Sequence, residues 1–224
     1  IRDEQLELAM NAIVGKTYHK TPVFSHNIQR VEFNPYWNVP SSIARNEYLP
    51  KLRKDPTKVV ASGIRIFTRW GDESSEINPV TYDWANTTPQ QIAGYHLRQE
   101  PGPKNALGRV KFMFPNDYNV YMHDTPAHSL FGREVRAFSH GCIRLGEPLK
   151  MAEYVLGQDD PSWTMDRIQE VVASGKNTSV SLKSPLAVHI TYRTAVVGDS
   201  GLPRFYDDIY GRDVALEKAI YRAG

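Results

Sequence analysis

The sequence predicts an α+β domain, mostly β with helices packed on it and interrupted by an inserted subdomain, and three observations carry this. Apolar residues alternate in short runs at Gln5–Val14, Thr21–Phe33, Val110–Phe114, Tyr118–His123 and Leu186–Val197, the mark of half-buried strands. Two runs with helical spacing follow position 147, each opened by a proline and closed by a glycine. Alternation fails between Tyr36 and Tyr95, where Tyr36, Trp37, Tyr48, Trp70, Tyr82, Trp84 and Tyr95 are scattered among Pro, Asn and Ser. The boundaries drawn are therefore 1–35 with 96–224 for the main domain and 36–95 for the insertion.

Taken in order, Leu6, Leu8, Met10, Ala12 and Val14 fall on one face of the first strand, and Gly15-Lys16 turns the chain. Gln29, Val31 and Phe33 alternate toward Asn34-Pro35. In the insertion, Ser41-Ser42 can cap a short helix that Pro50 bends or ends. Asp55-Pro56 opens another that Gly63 can close. Ile64–Thr68 suits a short strand, and Gly71–Thr88 an irregular excursion. Most of the aromatics are expected to build a satellite core, with a lid that shapes a groove as the functional alternative.

Pro101-Gly102-Pro103 through Leu107-Gly108 is a loop that lets backbone approach closely. Val110, Phe112 and Phe114 then form one strand, Pro115-Asn116-Asp117 the connection, and Tyr118–His123 the return. Alternation puts Asn119, Tyr121 and His123 on one face of that return. Pro148 starts a helix bearing Leu149, Ala152, Val155 and Leu156. Asp160-Pro161 caps another with Ile168, Val171 and Val172, closed by Gly175. Val180-Leu182 and Leu186–Val197 give two strands, with His189 expected as packing. Asp199-Ser200-Gly201 is a turn, and Asp213 caps a final helix through Ile220.

A chain of 224 residues can bury a substantial core, and a net charge of +2 without a Lys/Arg block makes nucleic acid a poor partner. No apolar run approaches the roughly 18 residues of a membrane span. The chain opens on Ile1 with no leader pattern, so a processed form or fragment is expected.

The one cysteine, Cys142, has no disulfide partner within the chain. A lone cysteine is by default a small buried hydrophobe, but this one is flanked by His140 and Gly141. A thiol attacks a carbonyl only once its proton is removed. His140 sits two residues away, awkward for a direct hydrogen bond, and suits orienting or packing. His123, at a strand end beyond an intervening loop, is the expected base. Asp124 can hold its tautomer through side chain or backbone carbonyl. The N–H groups of Gly141 and Cys142 can meet an oxyanion, and Arg144 can bind a substrate carboxylate or form a surface ion pair. The competing metal site of His123, His128, His140 and Cys142 matches no common ligand spacing, and His128 and the other loop histidines, His19 and His26, suit solvent.

His123 followed by Ser139-His140-Gly141-Cys142-Ile143-Arg144 resembles the signature of the YkuD-type L,D-transpeptidases, which remodel bacterial peptidoglycan. Ile13–Lys16, Phe33–Pro40, Pro101–Gly108 and Asp207–Gly211 further resemble its long-insert branch, typified by YcbB. The resemblance implies a β-sandwich-like catalytic domain whose insertion caps the groove, Cys142 as nucleophile and His123 as base. It implies that His140, Gly141 and Arg144 line the site beside Tyr121, with Ser139 among the substrate contacts. The implied reaction is attack on the meso-diaminopimelate carbonyl of a tetrapeptide stem, release of D-Ala, and resolution of the thioester by a second stem's amine. No metal or other cofactor is implied. Carbapenems are implied covalent inhibitors, and the bacterial envelope or periplasm the compartment, with an export signal and an anchor or peptidoglycan-binding module upstream. The alternatives are a cysteine peptidase with water as acceptor and a non-catalytic wall-binding module.

Overall fold

The computed structural model describes residues 6–71, 75–198 and 200–222. In chain order its strands are β1 (Ala12–Gly15), β2 (Phe24–Phe33), β3 (Trp37–Asn38), β4 (Ile64–Phe67), β5 (Glu76–Ile77), β6 (His96–Gln99), β7 (Val110–Met113), β8 (Met122–His123), β9 (Ala137–Ser139), β10 (Ile143–Leu145), β11 (Thr178–Ile190), β12 (Ala195–Val197) and β13 (Pro203–Phe205). A seven-stranded sheet runs in the order β11-β2-β7-β8-β10-β1-β9. Its β8–β10 and β1–β9 pairs are parallel and the rest antiparallel. With helices packed on it, the architecture is α+β.

Register explains why this sheet can carry chemistry. One cross-strand row joins Val180, Val31, Phe112, Met122 and Ile143, all apolar and all in or against the main core. The next row joins Ser179, Glu32, Lys111, His123, Arg144 and Ile13. Side chains alternate faces along a strand, so one face is core and the other presents a polar line. Helices Pro148–Gly157 and Met165–Ala173 cover the apolar face with Ala152, Val155, Leu156 and Ile168. Each buried side chain of Val or Leu size contributes about 1.5–3 kcal/mol, so this face anchors the polar row.

The insertion has a core of its own, built on Val39, Leu49, Leu52, Ile66, Trp84, Ile92 and Leu97. Its sheet has the order β3-β6-β4-β5, which draws in His96–Gln99 beyond Tyr95. Asn105 joins its two ends to the main domain, donating to the carbonyls of Pro35 (2.8 Å) and Glu100 (3.0 Å).

Several expectations need correction. The first strand is only Ala12–Gly15, because β10 gives no ladder partner before Ala12; Leu6 is 69% exposed, and Ile13 is the fully buried residue. In β2 the buried residues are Ile28, Val31 and Phe33, while Gln29 is exposed. The return strand after β7 forms ladder bonds only at Met122–His123. The two expected late strands are largely one, β11, with its register shifted between Ser181 and Leu186. Pro185 lies in that shift and lacks an N–H, and the Asp159 carboxylate takes the N–H groups of Lys183 and Ser184 instead. His189 is exposed and meets Ser25 Oγ at 2.8 Å.

Helix starts were misplaced in two places. Thr164, not Asp160, accepts from Arg167 N and caps Met165–Ala173. Neither Ser41 nor Ser42 caps the insertion helix, whose N-cap is Pro40. That helix passes through a π-turn at Ala44–Tyr48 before Leu49–Lys54, where the wider turn accommodates the N–H that Pro50 lacks. Asp55 caps Pro56–Ala61 as expected, accepting from Thr57 N and Lys58 N. Asp199 of the expected late turn lies outside the described residues.

Candidate active site

His123 ends β8, and Cys142 stands one residue before β10. The two strands are parallel, with Arg144 paired to His123 and Ile143 to Met122, and Ile143 N donates to Tyr121 O at 3.1 Å. Continuing that register sets Cys142 beside Tyr121. Four side chains therefore share one face, Cys142 and Tyr121 in one row, Arg144 and His123 in the next. Diagonal neighbours on a sheet face lie about 7–8 Å apart, within reach of long side chains. All four open into one cavity of about 440 Å³. Among the described residues no hydrogen bond joins the thiol to the imidazole; Sγ faces the Asn119 carbonyl at 3.9 Å.

His123 is 4% exposed, and its Nδ1 lies 2.5 Å from the carbonyl oxygen of Asp124. A carbonyl only accepts, so the neutral ring carries its proton on Nδ1 and leaves the Nε2 lone pair free. Burial brings its pKa down to about 3, with Arg144 and Lys111 acting the same way against the Asp124 carbonyl and charge. At neutral pH it is an uncharged base. The carbonyl of Asp124, and not its carboxylate, makes this contact. The carboxylate instead accepts from Arg109 N (3.0 Å) and Nε (2.6 Å), which fixes the residue whose carbonyl holds the ring. Gly108 passes this carboxylate at φ +62°, and a Cβ there would stand 2.5 Å from Asp124 Cγ.

Burial pushes the Cys142 thiol up, while Tyr121 and the charges of Lys111 and Arg144 pull it down. The turn carrying it is braced from inside. Gly141, at φ +115°, donates its N–H to Ser139 Oγ (3.1 Å), which in turn donates to Cys142 O (2.5 Å). Thr21 Oγ1 donates to Gly141 O at 2.9 Å. Two expectations change as a result. The Gly141 N–H is already engaged and does not face an oxyanion, whereas the Cys142 N–H has no partner among the described residues. Ser139 is 2% exposed, and its hydroxyl is taken up within the turn.

His140 turns toward the insertion, where its Nε2 meets Glu47 Oε1 at 2.7 Å. Its ring lies 4.9 Å from that of His19, and burial lowers its pKa. Trp37, Pro40, Ile43 and Glu47 from the insertion line the same cavity. Arg144 is half-buried, and its Nε is buried without a partner. Burial, the larger effect, lowers its pKa, and the guanidinium lines the cavity beside Cys142.

The structure thus brings Cys142, His123, Tyr121, His140, Ser139 and Arg144 to one cavity. Asp124 and His128 line a different one, of about 390 Å³. Among the described residues no three His, Cys, Asp or Glu side chains gather as a metal site would need. Sequence reasoning missed Glu47 and Lys111, and it assigned to solvent His19, whose exposed ring also lines the cavity. Parity could have found Lys111, since it faces away from buried Val110 and Phe112 and toward His123. Nothing local marks Glu47, which reaches the site only through the insertion's fold.

A family model described as the L,D-transpeptidase catalytic domain, YkuD, matches residues 1–196. A protein of Haemophilus influenzae, provisionally named as an L,D-transpeptidase, is 34% identical over 218 residues, covering 97% of this chain and 43% of the relative. The chain spans less than half the length of that curated relative.

Proposed function

This chain belongs to the YkuD family of L,D-transpeptidase catalytic domains, and from that premise we propose that it is a cysteine acyltransferase of peptidoglycan. The donor is a tetrapeptide stem. His123 Nε2 takes the proton from Cys142 Sγ as the sulfur bonds to the meso-diaminopimelate carbonyl carbon. The Cys142 N–H receives the oxygen as it becomes negative. An imidazole that holds a proton this weakly gives it up readily, so the D-Ala amine leaves protonated and a thioester remains. A second stem's amine then attacks the thioester, losing its proton to His123 Nε2. The C–S bond breaks, sulfur regains the proton, and a 3→3 cross-link is released.

The observation that carries this reading is the pairing in one cavity of a thiol and an imidazole whose tautomer is fixed by Asp124. Arg144 is the proposed contact for a stem carboxylate, since its buried Nε lacks a protein partner, and Tyr121 flanks the nucleophile. The insertion acts as a cap over the groove. Carbapenems acylate Cys142 by the same first step. The proposed setting is the bacterial envelope, where peptidoglycan stems lie.

Incubation with disaccharide-tetrapeptide, followed by mass spectrometry, tests the proposal. A cross-linked dimer with loss of D-Ala is expected. Tripeptide alone would assign the chain as a carboxypeptidase with water as acceptor, and unchanged substrate would leave only the wall-binding alternative.

A further inference from the structure

Lys111 is a half-buried cation whose only facing anion, among the described residues, is Glu32 across the strand, with which it forms no ion pair. Its strand partners are His123 on one side and Glu32 on the other. Among the described residues its ammonium forms no ion pair; Glu32 Oε1 instead accepts from Asn177 Nδ2 at 2.9 Å. What the ammonium does touch is the Tyr121 ring, with Nζ 4.2 Å from the ring centroid. Burial lowers the pKa of Lys111, against the pull of Glu32 and the Cys142 sulfur, and a cation–π contact offsets part of the lost hydration. A half-buried ammonium that forms no ion pair, resting on a ring that lines a cleft, is a mark of a working group.

The need for such a charge follows from His123. In many Cys–His pairs the protonated imidazole balances the thiolate. Here the imidazole is buried and holds a proton only near pH 3, so a standing imidazolium is not what steadies the sulfur. Around Cys142 stand Lys111 on β7, Tyr121 just before β8, His123 at its end, Arg144 on β10, His140 on the Cys142 turn, Glu47 on the insertion, and His19 and Tyr118 at the cavity wall. Arg30 and Glu32 face Lys111 from β2. Of the two cations in the set, Arg144 is the one open to a substrate carboxylate.

We propose that Lys111 is a positioning residue that supplies the positive charge for the Cys142 thiolate and, by resting on the Tyr121 ring, holds Tyr121 against the nucleophile. The assignment rests on Cys142 being the nucleophile, as proposed above. When the S–H bond breaks and its proton passes to His123 Nε2 or to water, the negative charge left on sulfur is stabilised by the ammonium across Tyr121. No other bond changes.

The test is the pH dependence of Cys142 alkylation by iodoacetamide in the whole chain, for wild type, Lys111→Met and Lys111→Arg, with thermal unfolding measured alongside. Below the thiol pKa, the thiolate fraction falls tenfold for each unit that the pKa rises. Lys111→Met is expected to slow alkylation at pH 7.5 by roughly tenfold and to move the profile to higher pH, and Lys111→Arg to restore most of it. A Met profile that overlays wild type overturns the proposal. So does a Met shift that Arg fails to restore, because the ammonium's packing, and not its charge, would then matter. If Lys111→Met does not fold, Lys111→Gln takes its place under the same criteria. Iodoacetamide needs no peptidoglycan, so failure here leaves the transpeptidase assignment standing, while failure of cross-linking with a shifted profile separates the two the other way.

Discussion

Gly108 and Gly175 have almost the same backbone conformation, φ +62° and +66°, but opposite surroundings: a Cβ at Gly108 would stand 2.5–2.6 Å from three atoms of Asp124, and one at Gly175 would meet nothing within 4 Å. Alanine in a left-handed conformation costs about 1–2 kcal/mol, and removing glycine's freedom from the unfolded chain returns about 0.4–1 kcal/mol. Gly175→Ala should therefore destabilise by about 1 kcal/mol. Gly108→Ala carries that plus overpacking against a buried, hydrogen-bonded carboxylate, about 1–3 kcal/mol more, for a total of about 2–4 kcal/mol. Urea unfolding with linear extrapolation measures both. The pair also differs functionally, because the Asp124 carbonyl holds the His123 ring. Gly108→Ala should slow acylation of Cys142 by a β-lactam severalfold, and Gly175→Ala should not. Equal stability losses would mean that the Gly108–Asp124 approach is not what the glycine is there for.

Three further predictions follow from the same geometry. His123 is depressed from 6.5 to about 3 by burial, so below pH 6.5 the unfolded chain binds a proton that the folded chain refuses. The stability tied to this residue is full above pH 6.5 and is lost as pH falls toward 3, on the order of 4 kcal/mol across the window; urea unfolding at pH 7, 5 and 4 should show this slope in wild type and lose it in His123→Asn. Glu47→Ala removes the link from the insertion to His140; the pair is partly exposed, so global stability should change by under about 1 kcal/mol, while amide exchange at residues 139–142 should speed up. Arg144→Lys keeps the charge and loses the planar fork, so kcat/KM for tetrapeptide donor should fall roughly 10- to 100-fold with Cys142 alkylation by iodoacetamide less affected, and an unchanged kcat/KM would remove Arg144 from substrate binding.

What the sequence revealed and what it hid divide along a physical line. Alternation at Val110, Phe112 and Phe114 marked three residues that are almost fully buried in and just after β7, and the Pro148 and Asp55-Pro56 starts were legible because proline in the first helical turn and a capping aspartate are local signals. The segment around Cys142, which the structure brings to one cavity with His123, stood out in the sequence because a lone cysteine flanked by His140 and Gly141 is chemically unusual. The first strand was overextended because alternation reports amphipathicity and cannot say whether a neighbour supplies ladder bonds. Gly141 was read as an oxyanion donor because a free N–H and one taken by Ser139 Oγ look alike in sequence. Glu47 and Lys111 escaped for one shared reason: the first reaches His140 through the insertion's π-turn, the second reaches Tyr121 through cross-strand register, and neither relation exists until strands and helices have packed.

The central claim, that Cys142 is the atom that takes the acyl group, is tested most directly by intact-mass measurement after treating the chain with a carbapenem. One covalent adduct is expected on wild type, carried by the peptide containing Cys142, and none on Cys142→Ala. An adduct that persists in Cys142→Ala, or a wild-type mass left unchanged, would contradict it.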